Sequence, residues 1–154
     1  MTDFYGANAT LSTQDVPAQM IPPGEQFGDI HVAFDSYAFA AVIDTTDSLK
    51  MFKLPKGARI LDAVLKCDDL GTTGLLNVGW EASDDAVEAA DADGFFTAID
   101  VKAAAKTYIM SQEEDNNAGM HKKFTAEVQV SIVPTEITTA TSGDISLAIY
   151  YVIN

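Results

Sequence analysis

The sequence predicts a mainly β protein, an antiparallel β-sandwich carrying an extended N-terminal arm. Three observations lead there. Phe124, Ala126, Val128, Val130 and Ile132 alternate with Thr125, Glu127, Gln129 and Ser131, the pattern of a strand with one face in a core and one in water. Stretches of this kind recur seven or eight times from residue 28 onward, separated by turn-forming residues. Residues 1–27 hold no period of 2 or 3.6, and Pro17, Pro22, Pro23 and Gly24 break any regular element there.

The arm, 1–27, is rich in Ala, Thr, Gln and Pro. Its spaced apolar residues are Phe4, Tyr5, Leu11, Val16, Met20 and Ile21. It reads either as a disordered tail or as a segment that orders on a partner and buries those side chains there. The sandwich domain spans 28–154. Residues 29–35 read as a strand with Ile30, Val32 and Phe34 in phase, and 37–43 as a second with Tyr37, Phe39, Ala41 and Ile43 in phase. A third covers 49–54. Pro55-Lys56-Gly57 then makes a turn, with proline presetting one corner and glycine tolerating positive φ.

Residues 58–67 form the next strand, with Leu61, Ala63, Leu65 and Cys67 sharing a face. Leu70-Gly71-Thr72-Thr73-Gly74 is a turn, and 75–82 a strand with Leu76, Val78 and Trp80 in register. The acidic, Ala-rich stretch 83–94 reads as a short helix or an irregular loop. Residues 95–105 read as one or two helical turns, because Ala103-Ala104-Ala105 favours helix. Residues 107–110 make a short strand and 111–119 a polar exposed loop. The alternating strand 124–132 ends at Pro134. After a Thr/Ser/Gly turn, Ile145, Leu147, Ile149, Tyr151 and Ile153 share the last face. The expected core is Leu61, Leu65, Val78, Trp80, Val128, Val130, Leu147 and Ile149. The expected connectivity is a jelly roll.

Charge narrows the partners. With 9 basic and 23 acidic residues the chain carries −14, which repels phosphate and anionic lipid. Neither nucleic acid nor membrane is an expected partner. One cysteine, Cys67, excludes an internal disulfide and a Cys-based zinc cage, and its in-strand parity makes it a small core residue. Met1-Thr-Asp-Phe-Tyr5 lacks the basic-then-apolar pattern of a secretory signal.

Motifs for chemistry are missing. His31 sits within a strand pattern on the parity opposite Ile30, Val32 and Phe34, His121 lies in a polar segment beside Lys122 and Lys123, and no nucleophile elbow, zinc-protease or phosphate-loop pattern occurs. No catalytic residue and no cofactor is expected. The one special cluster is acidic. Glu81, Asp84, Asp85, Glu88, Asp91, Asp93 and Asp100 follow one another with no basic residue between. Asp91-Ala92-Asp93-Gly94 is a fragment of a calcium loop without its remaining ligands, so Asp91 and Asp93 are a weak calcium candidate beside the plainer reading of a solvated face. Upstream lies the opposite sign: Lys50, Lys53, Lys56 and Arg59, with Lys66, form a basic zone suited to subunit docking.

Several turns carry a family likeness. Lys53-Leu54-Pro55-Lys56-Gly57-Ala58 leads into a strand, Asp68-Asp69-Leu70-Gly71-Thr72 turns out of it, and the next strand holds Val78-Gly79-Trp80. Asp91-Ala92-Asp93-Gly94-Phe95 follows, and Gly143-Asp144-Ile145-Ser146-Leu147 opens the closing strand. This order over 28–153 resembles the capsid decoration, or cement, proteins and related head proteins of tailed bacteriophages. The resemblance implies a jelly-roll β-sandwich without enzymatic activity. It implies a homotrimer on the outer capsid surface, bound to the major capsid protein, and a stay in the host cytoplasm before assembly. The arm residues would then be capsid anchors. The alternative is a head-fibre or tail-associated module that binds a glycan or receptor, with Trp80 and the tyrosines as stacking rings. A carboxylate-based hydrolase is a third and lesser reading.

Overall fold

A computed structural model of the chain describes residues 28–82, 87–102, 104–113, 118–136 and 142–153. The predicted arm lies outside the described residues. Eight strands appear among them: β1 (His31–Ala38), β2 (Leu49–Leu54), β3 (Ala58–Cys67), β4 (Leu75–Ala82), β5 (Asp91–Asp100), β6 (Lys106–Ile109), β7 (Val128–Pro134) and β8 (Asp144–Ile153). A single 3-10 turn, Met110–Gln112, follows β6. The strands make two four-stranded sheets, sheet A in the order β1-β8-β3-β6 and sheet B in the order β2-β7-β4-β5.

The pairing is nested. β1 pairs with β8, β2 with β7, β3 with β6 and β4 with β5, all antiparallel. The chain is thus doubled into one long hairpin that rolls over, which is the connectivity of a jelly roll. Ile60, Ala63, Leu65, Ile145, Leu147 and Ile149 of sheet A meet Leu54, Leu76, Val78, Phe96, Val130 and Ile132 of sheet B in the shared core. Gly57 takes φ 86° in the turn before β3, the conformation that its Pro-Lys-Gly sequence demands.

Five expectations need correction. Residues 37–43 are not a separate strand. β1 continues to Ala38 and stops there because its partner β8 begins opposite, at Asp144. Phe39 and Ile43 are still buried, but from a loop. The described residues of 95–105 are not helical. Phe95, Phe96 and Ile99 belong to β5 and lie in the core, so burial of large side chains overrides the local alanine content. Two irregularities between β4 and β5 let the consecutive Phe95 and Phe96 both bury. Nearby, Ala98 takes φ 48° and donates its N–H to Asn77 Oδ1 at 2.7 Å.

The third correction concerns 124–132. The alternation is real, but two sheets share it. Residues 122–124 hydrogen-bond to β3: Phe124 N–H donates to Ala58 O and Ile60 N–H to Lys122 O, each at 2.9 Å. The chain then crosses to sheet B and starts β7 at Val128. The fourth is a bulge. Between Ile60 and Asp62 the register of β3 against β8 shifts by one residue. Ala58 and Ile60 are buried before it, and Ala63, Leu65 and Cys67 after it. Leu61, placed in the core by simple parity, is only half-buried. The other expected core residues are buried. At the end of β8, Tyr151 is half-buried and Ile153 exposed, so the last face is shorter than its sequence suggests.

The bulge yields a contrast. Leu65→Ala should destabilise the protein by about 2–5 kcal/mol. Leu61→Ala, at a site with a partly open surface, should cost less than half as much. Urea unfolding followed by circular dichroism reads both.

Candidate interaction surface

The two outer faces of the sandwich differ in character. On sheet B the outward residues include charged and polar side chains that pair with one another. Lys53 pairs in register with Gln129, and Gln129 with Glu81. Lys50 Nζ contacts Glu81, and Lys53 Nζ lies 2.7 Å from Glu127. The Lys50 contact and the Ser48 hydroxyl hold the Glu81 carboxyl below its ordinary range against the effect of burial. Two members of the predicted basic zone are thus engaged within the chain.

Sheet A turns the other way. Register fixes which side of β1 faces out. Ala33 stands opposite the buried Ile149, and Asp35 opposite the buried Leu147. Val32 and Phe34 therefore point to solvent, opposite Tyr150 and Ala148. They are 54% and 65% exposed, the preceding Ile30 64% and Tyr150 37%. The same outward row continues inward across the sheet, because Ala148 pairs with Val64, and Val64 with Ile109. Phe34, Ala148, Val64 and Ile109 make an uncharged row across all four strands. Val64, Ala148 and Ile109 are half-buried, so the exposed apolar area is concentrated at Val32, Phe34 and Tyr150. The sequence pattern of β1 was legible, but alternation alone cannot say which parity faces in.

The lower edge of this face is basic. Arg59 pairs with Val152 in β8 and bridges to Lys123. Lys56 and Lys123 line an open groove of about 680 Å³ with Gly57, Val87, Phe124 and Thr125. No ion pair engages Lys56 or Lys123 among the described residues. Of the four residues assigned to the basic zone, Lys56 and Arg59 thus join Lys123, which sequence distance had separated from them.

Behind the groove a rigid cluster sets the geometry. Trp80 is buried and donates its Nε1–H to Ala89 O at 2.9 Å. Phe95 and Phe124 approach it edge-on, each with ring centroids 5.1 Å away. Lys122 Nζ lies 5.8 Å from the Trp80 ring centre and 2.7 Å from Glu88 Oε1. Glu88 is buried, and its Oε2 accepts from the Thr125 N–H and hydroxyl, both at 2.8 Å. Burial is the largest single influence on Glu88 and pushes its carboxyl up. Lys122 and the two Thr125 donors together outweigh it and hold the group below its ordinary range.

The remaining candidates are scattered. Asp91 and Asp93 stand two apart at the start of β5, and burial followed by the neighbouring Asp93 pushes the Asp91 carboxyl up. Among the described residues no three His, Cys, Asp or Glu side chains gather as a metal-holding group. His31 stacks on Tyr151 with centroids 5.5 Å apart, and His121 is exposed at φ 59°. Cys67 is buried and its thiol is pushed up, chiefly by that burial. Phe4, Tyr5, Leu11, Val16, Met20 and Ile21 lie outside the described residues.

The described residues thus form eight strands in jelly-roll order, with an exposed apolar cluster at the β1–β8 side of one outer face and ion pairs on the other. Two solved structures share the fold along nearly the whole chain. One is a chain of the cyanophage Pam1 capsid asymmetric unit, with a TM-score of 0.66 and 26% identity, covering 93% of this chain and 99% of that one. The other is a chain of the capsid of Ralstonia phage GP4, with a TM-score of 0.62 and 22% identity over 90% of this chain and 93% of that one. No protein-family model matches the sequence, and no curated protein does.

Two substitutions test the electrostatics. Glu88→Gln should cost about 1.5–3 kcal/mol at neutral pH, because it weakens hydrogen bonds to a charged group. Glu88 has a folded-state pKa below its unfolded one, so its contribution is present above the unfolded value and fades as pH falls through the folded one. The gap between the two proteins should therefore close in acid, as read by urea unfolding across pH. Asp91 is the opposite case, with its charged form disfavoured by folding. Asp91→Asn should leave the melting temperature at pH 7 equal or higher, and added calcium should not reverse the order.

Proposed function

We propose that the protein is a virion structural component, a decoration or cement protein on the outer surface of a phage head. The observation that carries this reading is the near end-to-end match to a chain of the Pam1 capsid asymmetric unit. Because 93% of this chain covers 99% of that one, the matched capsid component is a small whole chain of similar length rather than a lobe of a larger subunit. In this reading the partner is the major capsid protein, and the protein assembles as a homotrimer. It waits in the host cytoplasm before assembly and has a scaffolding rather than an enzymatic role. Three features support it. A charge of −14 keeps the free chain soluble and away from packaged DNA. The apolar outer face of sheet A offers an adhesive surface on a rigid body. A repetitive shell turns many weak contacts into stable attachment. The glycan-binding alternative loses its main residue, since Trp80 is buried and its indole N–H is already bonded.

The arm supplies the test. Phe4→Ser, Tyr5→Ser and Leu11→Ser combined in the full chain should lower occupancy on decoration-free heads at least tenfold, as each anchor lost is worth roughly 1.5–3 kcal/mol. Co-sedimentation and electron microscopy of the particles read occupancy, and circular dichroism verifies the fold. Full attachment of the triple variant refutes the arm's role. Failure of the unaltered protein to attach to heads of its own phage refutes the cement reading.

A further inference from the structure

Strand β1 ends the order of sheet A, so among the described residues no strand bonds to its outer edge. Natural edge strands are commonly blunted by lysine, proline or a bulge. β1 holds no Lys, Arg or Pro, and its pairing with β8 runs from His31 to Ala38 without a shift. Its side chains are exposed apart from the half-buried Ala33 and Asp35. The edge is therefore a regular template for another strand.

The hydrogen-bond phase decides which residues are available there. Phe39 N–H donates to Gly143 O at 2.8 Å, one step beyond the pair of Ala38 with Asp144. On the other side of β8, Asp68 N–H donates to Asp144 O at 2.9 Å, in keeping with that phase. Successive residues of an antiparallel strand bond to alternate sides, so Ala33, Asp35 and Tyr37 direct their backbone groups at β8. Val32, Phe34 and Ser36 direct theirs outward. Ser36 N–H is already donated to Asp35 Oδ1 at 2.8 Å, which leaves Val32 and Phe34 as the free donors in the middle of the strand among the described residues.

This edge is complementary to itself turned around. When a second β1 is laid antiparallel and centred on Ala33, Val32 exchanges hydrogen bonds with Phe34 of the second copy. The outward Val32 and Phe34 side chains of both copies then meet in one apolar patch beside Tyr150. His31 stands opposite Asp35 of the second copy, a cross-strand pair of donor and carboxylate. The neighbouring registers lose these matches. Centring on Val32 sets Asp29 against Asp35, and centring on Asp35 sets two carboxylates together. Centring on Phe34 needs the Ser36 N–H that Asp35 already holds.

We propose that in solution two copies of the chain join edge to edge through β1, about a twofold axis at Ala33, making one continuous sheet from their two sheets A. The contact is isologous and closes after two copies. It concerns the unassembled chain, is separate from any threefold contact on a head, and stands independently of the capsid reading.

Sedimentation equilibrium and disulfide trapping of the full chain test it. The expected mass is that of two chains. Phe34→Asp puts a carboxylate into the apolar patch, and Val32→Pro removes an outward N–H that β8 does not use. Each should raise the dimer dissociation constant at least tenfold, with the circular dichroism of the native protein retained. In the register above, the two Ala33 residues form a non-hydrogen-bonded pair with Cα atoms about 4.5 Å apart, within reach of a disulfide. Ala33→Cys should therefore link two chains on mild oxidation, as read on a non-reducing gel. Tyr37→Cys, whose two copies would stand roughly 26 Å apart, should not. The native Cys67 is buried and adds no link. A mass of one or three chains overturns the proposal. So does a failure of Ala33→Cys to link more readily than Tyr37→Cys, or a dissociation constant that neither Phe34→Asp nor Val32→Pro raises.

Discussion

The register of β8 decides the character of the molecule. β8 is bonded on both sides, to β1 and to β3, and it turns Ile145, Leu147 and Ile149 into the core. A one-residue slip would exchange every inward and outward side chain of a neighbouring strand. Given this register, Ala33 and Asp35 of β1 face in, and Val32 and Phe34 face out. The bulge in β3 is the compensating device. It reverses parity after Ile60, so both halves of the strand present apolar residues to the same core. Core packing and the exposed apolar residues of β1 thus come from one alignment.

The outer faces then divide the electrostatic work. Two chains of charge −14 repel one another and every anionic surface. Contact is least opposed where charge is sparse, and the row Phe34, Ala148, Val64 and Ile109 bears none. Sheet B carries its lysines and glutamates already matched, as at Lys53 and Glu127. Exposed pairs of this kind contribute little to stability but leave few unmatched cations for an outside partner. On sheet A the same register sets Asp62 beside Tyr150 and Lys66 beside Ser146, so the uncharged row is bounded by charges of β3.

Strands with one strong apolar face were legible in the sequence, and 49–54, 58–67 and 75–82 match the observed bounds of β2, β3 and β4. Three kinds of information were not. Parity reports that Val32 and Phe34 share a face but not which way it looks, because direction is set by a partner about 115 residues away. A bulge leaves no mark on composition, so Leu61 read as core. Strand β5 was hidden because its two adjacent phenylalanines break the period, and alanine content then pointed to helix. The groove joins Lys56 to Lys123 through the pairing of Arg59 with Lys123, a contact between segments far apart in sequence. The turn at Gly57 was the reverse case, a local signal with a local outcome.

An exposed Phe or Val costs solvation free energy in the unbound protein, and its persistence needs a counterweight. The counterweight has two parts here. The nested strand pairs keep the sandwich rigid, so the apolar row cannot relieve itself by rearranging into the core, which Leu147 and Ile149 already fill. The negative charge keeps separate molecules apart at distances where the apolar row has no reach, since hydrophobic attraction acts only at contact. Electrostatic repulsion is weakened by salt within a Debye length of about 8 Å, while apolar contact is not. Adhesion of such a surface should therefore strengthen as ionic strength rises, the reverse of a basic nucleic-acid binder. The sign of that salt dependence separates contact through Phe34 and its row from contact through Lys56 and Lys123.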